Sequence, residues 1–274
     1  MRAGRPRAIG TGCAALAAAA LCLGATSAQA ADRSLEPDLV TLPLTQEDLF
    51  LDQSGKGERA SVLRMTNEVG NQGVGPLEIE ASGASSGCDG DTDPSNDRIA
   101  AQRVYEDAAP FDGEFDRETD TSYETSEIGC LQYHPAHFHW HVLDFAKYTL
   151  LSERTGVPTD GTKVGFCLGD SSHPFSSLGA DDPYYQFSGC GTEDAAPSFM
   201  GISVGWADIY GYSTPGQRIR VTGLPEGRYC LRSEADPVDS LAELDELNNG
   251  TELRIHLNLE RGRVRALSSA CDLA

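Results

Sequence analysis

Histidines at strand-like spacing are the first residues of this 274-residue chain whose types and positions predict chemistry. Four of its six histidines fall between His134 and His141. The last three alternate with apolar residues in the order His137, Phe138, His139, Trp140, His141 and Val142. Because successive side chains of a strand point to opposite faces, the three histidines are predicted to line one face while their apolar neighbours enter the core.

Three imidazoles on one face of a strand predict a metal site. Imidazole binds zinc, copper, iron and nickel, and copper has the highest affinity among these divalent ions for a nitrogen site of ordinary geometry. The spacing itself does not choose among the metals. The competing interpretation is that the three histidines form only the polar face of a surface strand.

A lysine and a tyrosine also have unusual settings. Lysine is rare, with three residues against eighteen arginines, and Lys163 lies in GTKVGFCLGD at the start of an apolar segment. Tyr210 lies among glycines in GWADIYGY, two residues after Asp208. Taken singly, these residues are compatible with a solvated loop lysine and a half-buried structural tyrosine.

A cluster of oxygen-bearing side chains lies near the C-terminus. The segment ELDELNN contains Glu243, Asp245, Asn248 and Asn249 within seven residues. A hard cation such as calcium takes six to eight oxygen ligands, so this density favours a calcium site. Acidic surface turns are common in this chain, however, and the segment alone does not decide between the two interpretations.

The N-terminus has the three parts of a secretory signal peptide. A basic start with three arginines is followed by the apolar stretch Ala14 to Leu23 and by the small-x-small motif Ala28-Gln29-Ala30. No later segment reaches the roughly 18 apolar residues that a membrane-spanning helix needs. We predict that residues 1–30 are removed and that residues 31–274 are secreted as one domain.

The charge of the chain restricts its partners. Removal of residues 1–30 takes away three arginines and no acid, so the formal net charge changes from −21 to −24. Nucleic acid is therefore excluded as an expected partner, and cations such as metal ions, amines and basic proteins are favoured. Solubility of an exported protein is the simpler explanation of the same charge.

Cysteine usage agrees with export. Six cysteines follow the signal segment, at Cys88, Cys130, Cys167, Cys190, Cys230 and Cys271. In an oxidising compartment an even number predicts up to three disulfides, with fifteen possible connectivities. We predict that Cys88 and Cys130 are bonded and close an acidic, turn-rich loop, because residues 89–128 have little hydrophobic periodicity. The remaining pairs stay open.

The fold class is predicted to be all-β. Short strands are predicted at Ala60–Met65, Pro76–Ile79, His137–Leu150, Lys163–Leu168, Arg218–Val221, Arg228–Arg232 and Leu253–Leu259, separated by clusters of glycine, proline, asparagine and aspartate. The turn Leu224-Pro225-Glu226-Gly227 leads into a strand with Tyr229, an arrangement common in sandwich folds. We expect a single β-sandwich domain with long loops.

Several of these motifs together resemble the lysyl oxidase family. HPAHFHWH is similar to the copper-binding histidine stretch of that family, GTKVGFCLGD to the segment with its cofactor lysine, and GISVGWADIYG to the segment with its cofactor tyrosine. The similarity runs from Pro37 to Leu257 through LPEGRYCLR and ELDELNN. The resemblance implies that His137, His139 and His141 bind copper(II). It also implies that Lys163 and Tyr210 form lysine tyrosylquinone.

The activity implied by the resemblance is oxidative deamination. Such an enzyme converts a primary amine, or a lysine side chain of a protein substrate, to an aldehyde with dioxygen, and releases ammonia and hydrogen peroxide. A base must remove a proton from the substrate, and Asp208 and then Asp144 are the candidates. Each could instead orient a ligand imidazole.

The resemblance extends to a calcium site. PDLV near the start of the mature chain resembles the segment that supplies further ligands to the ion in this family. The implied ligand set is Asp38, the carbonyl of Leu39, Glu243, Asp245, Asn248 and Asn249.

Two alternatives to an amine oxidase stay open. The first is a non-catalytic exported metal-binding β-sandwich, although Lys163 and Tyr210 would have no role in such a protein. The second is a zinc hydrolase with an open coordination position, which lacks an obvious glutamate beside the histidines. The natural amine and the oligomeric state are not predicted from the sequence.

Overall fold

The described part of the chain is built from antiparallel β-strands, with 3-10 helical turns at Gln46–Asp48 and Phe187–Gly189. The computed structural model describes residues 33–57, 60–83, 87–90, 95–163, 165–268 and 271. The predicted signal peptide, residues 1–30, lies outside the described residues. Among the described residues, no helix is long and apolar enough to cross a membrane.

Eighteen strands are described. In chain order they are β1 (Ser34–Leu35), β2 (Leu39–Thr41), β3 (Leu49–Asp52), β4 (Val62–Met65), β5 (Asn67–Asn71), β6 (Leu77–Ala81), β7 (Asp97–Glu106), β8 (Tyr123–His134), β9 (His139–Leu143), β10 (Ala146–Ser152), β11 (Pro158–Asp160), β12 (Gly165–Phe166), β13 (Met200–Ile202), β14 (Ala207–Tyr210), β15 (Arg218–Arg220), β16 (Gly227–Ala235), β17 (Gly250–Asn258) and β18 (Arg263–Ser268).

The strands form four sheets. The largest has the order β12-β9-β8-β7-β6-β13, with β1 paired to β7 beside this path. A five-stranded sheet has the order β11-β10-β16-β17-β18, and two three-stranded sheets have the orders β14-β5-β2 and β15-β4-β3. The prediction of an all-β fold is confirmed.

One hydrophobic core joins the four sheets. Its largest side chains are Trp140 and Phe166 of the seven-stranded sheet and Tyr148 of the five-stranded sheet, all fully buried. Leu39 and Leu63 extend the same core into the two smaller sheets. Because a sheet stabilises the fold by burying one apolar face against another layer, the shared core fixes the four sheets in place.

Two long strands lie where the sequence predicted a turn-rich loop. β7 and β8 pair with each other at the centre of the largest sheet and occupy much of residues 89–128. Their pattern is hidden because residues 123–127 of β8 are exposed, whereas β7 buries polar side chains. Gln102 is an example, since its amide exchanges hydrogen bonds of 2.7 and 2.9 Å with the backbone of Ala242. The loop prediction was therefore wrong for residues 97–106 and 123–128, whereas residues 107–122 between the two strands form turns as predicted.

The predicted strand His137–Leu150 is two strands. β9 ends at Leu143 and β10 begins at Ala146, after a bend at Asp144, whose φ of 58° lies in the left-handed region. The bend moves the chain from the seven-stranded to the five-stranded sheet. The predicted strand Lys163–Leu168 is also shorter, because among the described residues of this segment only Gly165–Phe166 pairs, with β9.

Three disulfides are formed by the six cysteines from Cys88 to Cys271. Cys88 is bonded to Cys130, which confirms the one predicted pair. The other two bonds, Cys167–Cys190 and Cys230–Cys271, resolve the connectivity that the sequence left open.

The turn before β16 is fastened by a tyrosine. Tyr229 is buried, and its hydroxyl donates a 2.8 Å hydrogen bond to the carbonyl of Pro225, four residues earlier. A tyrosine that binds the backbone a few residues upstream is a recurring corner of sandwich folds. The sequence-based interpretation of this turn is confirmed.

A buried carboxylate connects strands and loops of the largest sheet. Glu78 on β6 is fully buried, and its Oε1 accepts hydrogen bonds from Tyr105 (2.7 Å) and Arg103 (2.8 Å). Its Oε2 accepts hydrogen bonds from Tyr185 (2.6 Å) and Arg117 (3.1 Å). Burial alone would raise the pKa of Glu78, but the bonds from Tyr185 and Tyr105 and the charge of Arg117 hold it below its ordinary value.

We predict that Glu78→Gln destabilises the protein by about 3–5 kcal/mol, because two arginines lose a buried partner. Urea denaturation near neutral pH measures the free energy of unfolding. In the control Glu252→Gln, the carboxylate pairs with the partly exposed Arg232, so the loss should be about 1 kcal/mol or less.

The carboxylate of Glu78 also makes the stability of the protein depend on pH. Because the pKa of Glu78 is lowered by folding, its stabilising contribution is present above the unfolded pKa of about 4.3 and is lost as pH falls through the folded value. Equal losses in Glu78→Gln and Glu252→Gln would contradict this account.

Candidate active site

A turn between β8 and β9 brings histidines together. The carbonyl of His134, the last residue of β8, accepts backbone hydrogen bonds of 2.9 Å from both His137 and Phe138. β9 then begins at His139, which lies opposite His134 in the strand register. His139 and His141 lie two residues apart on one face of β9, and His137 reaches them from the turn.

The three imidazoles converge on one point. The Nε2 atoms of His139 and His141 are 3.0 Å apart, and Nδ1 of His137 is 3.3 Å from Nε2 of His141. One ring nitrogen from each histidine lies within 4.8 Å of the other two. Ligands of one metal ion need this degree of convergence.

Burial keeps these imidazoles neutral. It lowers the pKa of His141 to about 2 and that of His137 to about 4, and the neighbouring Lys163 and the other imidazoles add to the effect. The pKa of His139 is lowered by burial and by Lys163 in the same way. A neutral imidazole offers the lone pair that a metal requires, so no proton has to be displaced near neutral pH.

The apolar partners of the histidines behave differently from one another. Trp140 and Val142 are buried as predicted, and the Trp140 indole donates a 2.7 Å hydrogen bond to the carbonyl of Thr192. Phe138 does not enter the core, because it is 74% exposed and has a φ of 61°. It belongs to the turn anchored on His134, and the alternation of a strand starts only at His139.

Lys163 and Tyr210 lie side by side. Lys163 is buried, and its Nζ lies 4.7 Å from the centre of the Tyr210 ring and 4.9 Å from that of Phe166. Burial lowers the pKa of Lys163 to about 8, although the nearby Asp208 opposes this shift. The structure thus brings together two residues that are 47 positions apart in the sequence.

The phenol of Tyr210 is held by the main chain. Its hydroxyl donates a 2.7 Å hydrogen bond to the carbonyl of Cys167 and accepts one of 2.8 Å from the N–H of the same residue. The ring of Phe166 packs edge-on against the Tyr210 ring, with 4.9 Å between the ring centres. These contacts hold the Tyr210 ring in its position next to Lys163.

Asp208 shares this environment. It is buried and points to the same face of β14 as Tyr210. Neither carboxylate oxygen has a hydrogen-bond partner among the described residues. Burial raises the pKa of Asp208 well above its ordinary value, and Lys163 opposes this effect. A raised pKa makes the deprotonated carboxylate a stronger base than an ordinary aspartate.

Asp144 lies elsewhere. It is exposed at the bend between β9 and β10, where it lines a small cavity with Phe145, Asp236 and Ser240. The structure does not bring this carboxylate to Lys163 and Tyr210. Of the two acidic residues predicted as candidate bases, only Asp208 adjoins them.

A cavity of about 350 Å³ opens beside the histidines. His137, His141 and Lys163 line it, together with His134 and Arg218. The ring of His134 stacks on that of His137, with 4.1 Å between their centres. No role was predicted from the sequence for His134 or Arg218. For His134 the sequence did offer a signal, its position close to the other histidines. For Arg218 it offered no signal.

Five of the six predicted calcium residues also come together, and the sixth, Asp245, is exposed. The backbone N–H of Leu39 donates a 2.7 Å hydrogen bond to Oε2 of Glu243, and Nδ2 of Asn249 donates one of 2.9 Å to Oε1 of the same residue. Nδ2 of Asn248 donates a 2.8 Å bond to Oδ1 of Asp38. The N-terminal strand β2 and the segment before β17 therefore meet at these side chains.

Two further carboxylates, Asp236 and Glu246, belong to this cluster. One oxygen from each lies within 4.8 Å of an oxygen of Glu243, and the sequence prediction had missed both residues. Burial, with these two carboxylates nearby, raises the pKa of Glu243 to about 8. Asp245 is exposed, and it accepts a 2.9 Å bond from the N–H of Leu247.

Two amide oxygens in this cluster lack a partner. Oδ1 of Asn248 and Oδ1 of Asn249 are buried, and neither has a hydrogen-bond partner among the described residues. A buried carbonyl oxygen without a partner is costly, and a cation would satisfy it.

Comparison with known proteins defines the class of the chain. The sequence model of the lysyl oxidase family matches residues 118–267, which is more than half of the chain. This range contains the histidine turn, Lys163, Asp208 and Tyr210. The chain therefore belongs to the lysyl oxidase family.

Individual relatives agree with this assignment. Human lysyl oxidase homolog 1 is 31% identical over 127 residues, which are 46% of this chain and 20% of the human protein. Human protein-lysine 6-oxidase is 31% identical over 120 residues, or 43% of this chain and 26% of that protein. Zebrafish (Danio rerio) lysyl oxidase homolog 3A is 33% identical over 118 residues, which are 43% of this chain and 14% of the zebrafish protein. The chain thus aligns with about a quarter or less of each relative.

Proposed function

We propose that this protein is a secreted amine oxidase that uses copper(II) and lysine tyrosylquinone. It oxidises primary amines, including lysine side chains of proteins, to aldehydes, consumes dioxygen, and releases ammonia and hydrogen peroxide. One observation carries the proposal: Nζ of Lys163 lies 4.7 Å from the centre of the Tyr210 ring, next to the converging histidines.

The residues present fit both groups. His137, His139 and His141 would hold copper through ring nitrogens that burial keeps unprotonated. Lys163 would supply the nitrogen and Tyr210 the ring of the quinone. Once bound, the metal and the quinone supply the redox and carbonyl chemistry of amine oxidation.

The chain's own side chains prepare this chemistry. A lysine must be neutral to act as a nucleophile, and burial brings the pKa of Lys163 down to about 8, so a larger neutral fraction is present near neutral pH. The backbone of Cys167 holds the Tyr210 hydroxyl and orients the ring. Asp208, buried beside Lys163, is proposed as the base that takes the substrate proton, because Asp144 lies away from this group.

Substrate class and location are proposed on separate grounds. The name of the human relative, protein-lysine 6-oxidase, supports lysine in proteins as one substrate. Three disulfides and the predicted signal peptide support export. The alternative, a non-catalytic metal-binding protein, would require neither the buried Lys163 nor its closeness to Tyr210.

We also propose a structural calcium ion. Asp38, the carbonyl of Leu39, Glu243, Asp245, Asn248 and Asn249 are the proposed ligands, and Asp236 and Glu246 add charge beside Glu243. The ion would join β2 to the segment that precedes β17. The unpartnered oxygens of Asn248 and Asn249 support this proposal.

Metal binding gives one prediction. Protein supplied with copper should hold about one tightly bound ion per chain, and His139→Ala should abolish tight binding because one of three ligands is lost. Elemental analysis after dialysis measures the metal content. The control His256→Ala removes a histidine on β17, outside the cluster, and should keep its copper. Stoichiometric zinc that copper cannot displace, without oxidase activity, would contradict the proposal.

The cofactor gives a second prediction. Copper-exposed protein should yield a cross-linked peptide with Lys163 and Tyr210 by mass spectrometry and should react with phenylhydrazine. Lys163→Arg should lose the cross-link and peroxide production but keep copper, because arginine retains the charge without a nucleophilic amine. The control Lys147→Arg alters an exposed lysine on β10 and should behave as the unchanged protein. Amine oxidation by Lys163→Arg at the unchanged rate would refute the mechanism.

Calcium gives a third prediction. A ligand that binds only the folded state stabilises it, by about 2.7 kcal/mol at a concentration one hundred times its Kd. Calcium added to chelator-treated protein should therefore raise the melting temperature, and Glu243→Gln should remove this increase. The control Glu124→Gln, on an exposed part of β8, should keep it. No change on adding calcium to the unsubstituted protein would count against the site.

A further inference from the structure

A fully buried carboxylate without a partner lies at the start of β7. Asp97 is 0% exposed, and neither of its carboxylate oxygens has a hydrogen-bond partner among the described residues. An isolated ionised carboxylate is one of the most costly groups to bury. A proton would remove the charge, but the new O–H donor would still lack a partner. A cation is therefore the ligand that best satisfies Asp97.

A second carboxylate is held beside Asp97 by a glutamine. In the register of β7 and β8, Asp97 lies opposite Gln132, so the two side chains project from the same face of the sheet. The amide of Gln132 donates a 2.7 Å hydrogen bond to Oδ2 of Asp89. The disulfide between Cys88 and Cys130 ties the segment that carries Asp89 to β8. Asp89 and Asp97 consequently adjoin the same glutamine.

The disulfide also limits the kind of ion that fits here. The sulfur atoms of Cys88 and Cys130 lie within 4.8 Å of a carboxylate oxygen of Asp97. Both sulfurs are used in the disulfide, so neither offers the thiolate that a soft metal would favour. The donors that remain are carboxylate oxygens, which hard cations such as calcium prefer.

The arginine that follows Asp97 does not neutralise its carboxylate. Nη1 of Arg98 donates a 2.5 Å hydrogen bond to the backbone carbonyl of Asp97. The guanidinium group lies 5.2 Å from the centre of the Trp140 ring. Arg98 thus contacts the main chain of Asp97 and leaves its side chain available to an ion.

The sequence of this loop has the ligand density of a calcium site. Residues 89–97, DGDTDPSND, contain four aspartates in nine positions. Calcium takes six to eight oxygen ligands, and loops with acidic residues at alternate positions supply them. Asp89 and Asp97 are the two of these aspartates that belong to the described part of the chain, and the site is assigned to them alone.

We propose that Asp89 and Asp97 bind a calcium ion at the loop closed by the Cys88–Cys130 disulfide. The ion would fasten this loop to β7 and β8, in the middle of the largest sheet. Because Gln132 also lines the cavity beside the histidines, the ion would support one wall of that cavity through Asp89. The site shares no residue with the calcium site proposed at β2, and its existence does not depend on the amine oxidase activity.

Equilibrium dialysis of the full chain at about 1 mM free calcium tests the proposal, since extracellular sites bind in this range. The Glu243→Gln variant removes the other proposed site and should hold about one ion per chain. Adding Asp97→Asn should abolish this binding. Adding Asp89→Asn should weaken it about tenfold or more, because one carboxylate ligand is lost. The control Glu124→Gln changes an exposed residue of β8 and should have no effect.

Thermal stability provides a second measurement, in which the sign of the effect reverses. Without calcium, adding Asp97→Asn to Glu243→Gln should keep or raise the melting temperature, because an unpaired buried charge is removed. With calcium, Glu243→Gln should gain stability and the double variant should not. Sodium chloride at equal ionic strength controls for screening of the net charge. An equal rise in both proteins, or a rise that sodium chloride reproduces, would contradict the site.

The two calcium sites can fail separately. If Glu243→Gln binds as much calcium as the unsubstituted chain, the site at β2 is refuted, and a loss on adding Asp97→Asn still supports the site proposed here. If Asp97→Asn does not fold, the calcium affinity of Asp89→Asn decides. Unchanged calcium binding after both the Asp89 and the Asp97 substitutions would overturn the proposal.

Discussion

Two backbone hydrogen bonds to the carbonyl of His134 determine the geometry of the site. They close the turn that ends β8, and β9 starts directly afterwards, so that His137 from the turn meets His139 and His141 from the strand. The strand is held from behind by Trp140, which is buried in the core. Without the turn, the first and third of three histidines at spacing two would lie about 13 Å apart along a strand, too far to share one ion, although two at this spacing, His139 and His141, do converge.

The sequence predicted the composition of the site better than its geometry. Alternation of histidine with Trp140 and Val142 correctly indicated a half-buried strand. The family resemblance identified Lys163 and Tyr210 as a pair. The turn was not predicted because the alternation of residue types does not show which backbone hydrogen bonds the carbonyl of His134 accepts. Phe138 was wrongly placed in the core for the same reason.

Long-range features were the least predictable. β7 and β8 escaped notice because buried polar residues such as Gln102 are satisfied by distant backbone groups, which removes the hydrophobic alternation that marks a strand. Asp236 and Glu246 lie seven and three residues from Glu243, but only the fold shows which of the neighbouring acids come within 4.8 Å of it. By contrast, the Cys88–Cys130 bond was predictable, because it joins the two ends of one continuous stretch of the chain.

The disulfide between Cys167 and Cys190 links the two halves of the site. Cys167 holds the hydroxyl of Tyr210, and the carbonyl of Cys190 accepts a 2.9 Å hydrogen bond from the backbone N–H of Trp140, between two of the histidines. One covalent bond thus ties the segment that holds the tyrosine hydroxyl to the segment that binds the backbone of the histidine strand. In the proposed oxidase, a disulfide formed during folding would hold the Tyr210 ring beside the histidines before the quinone is made.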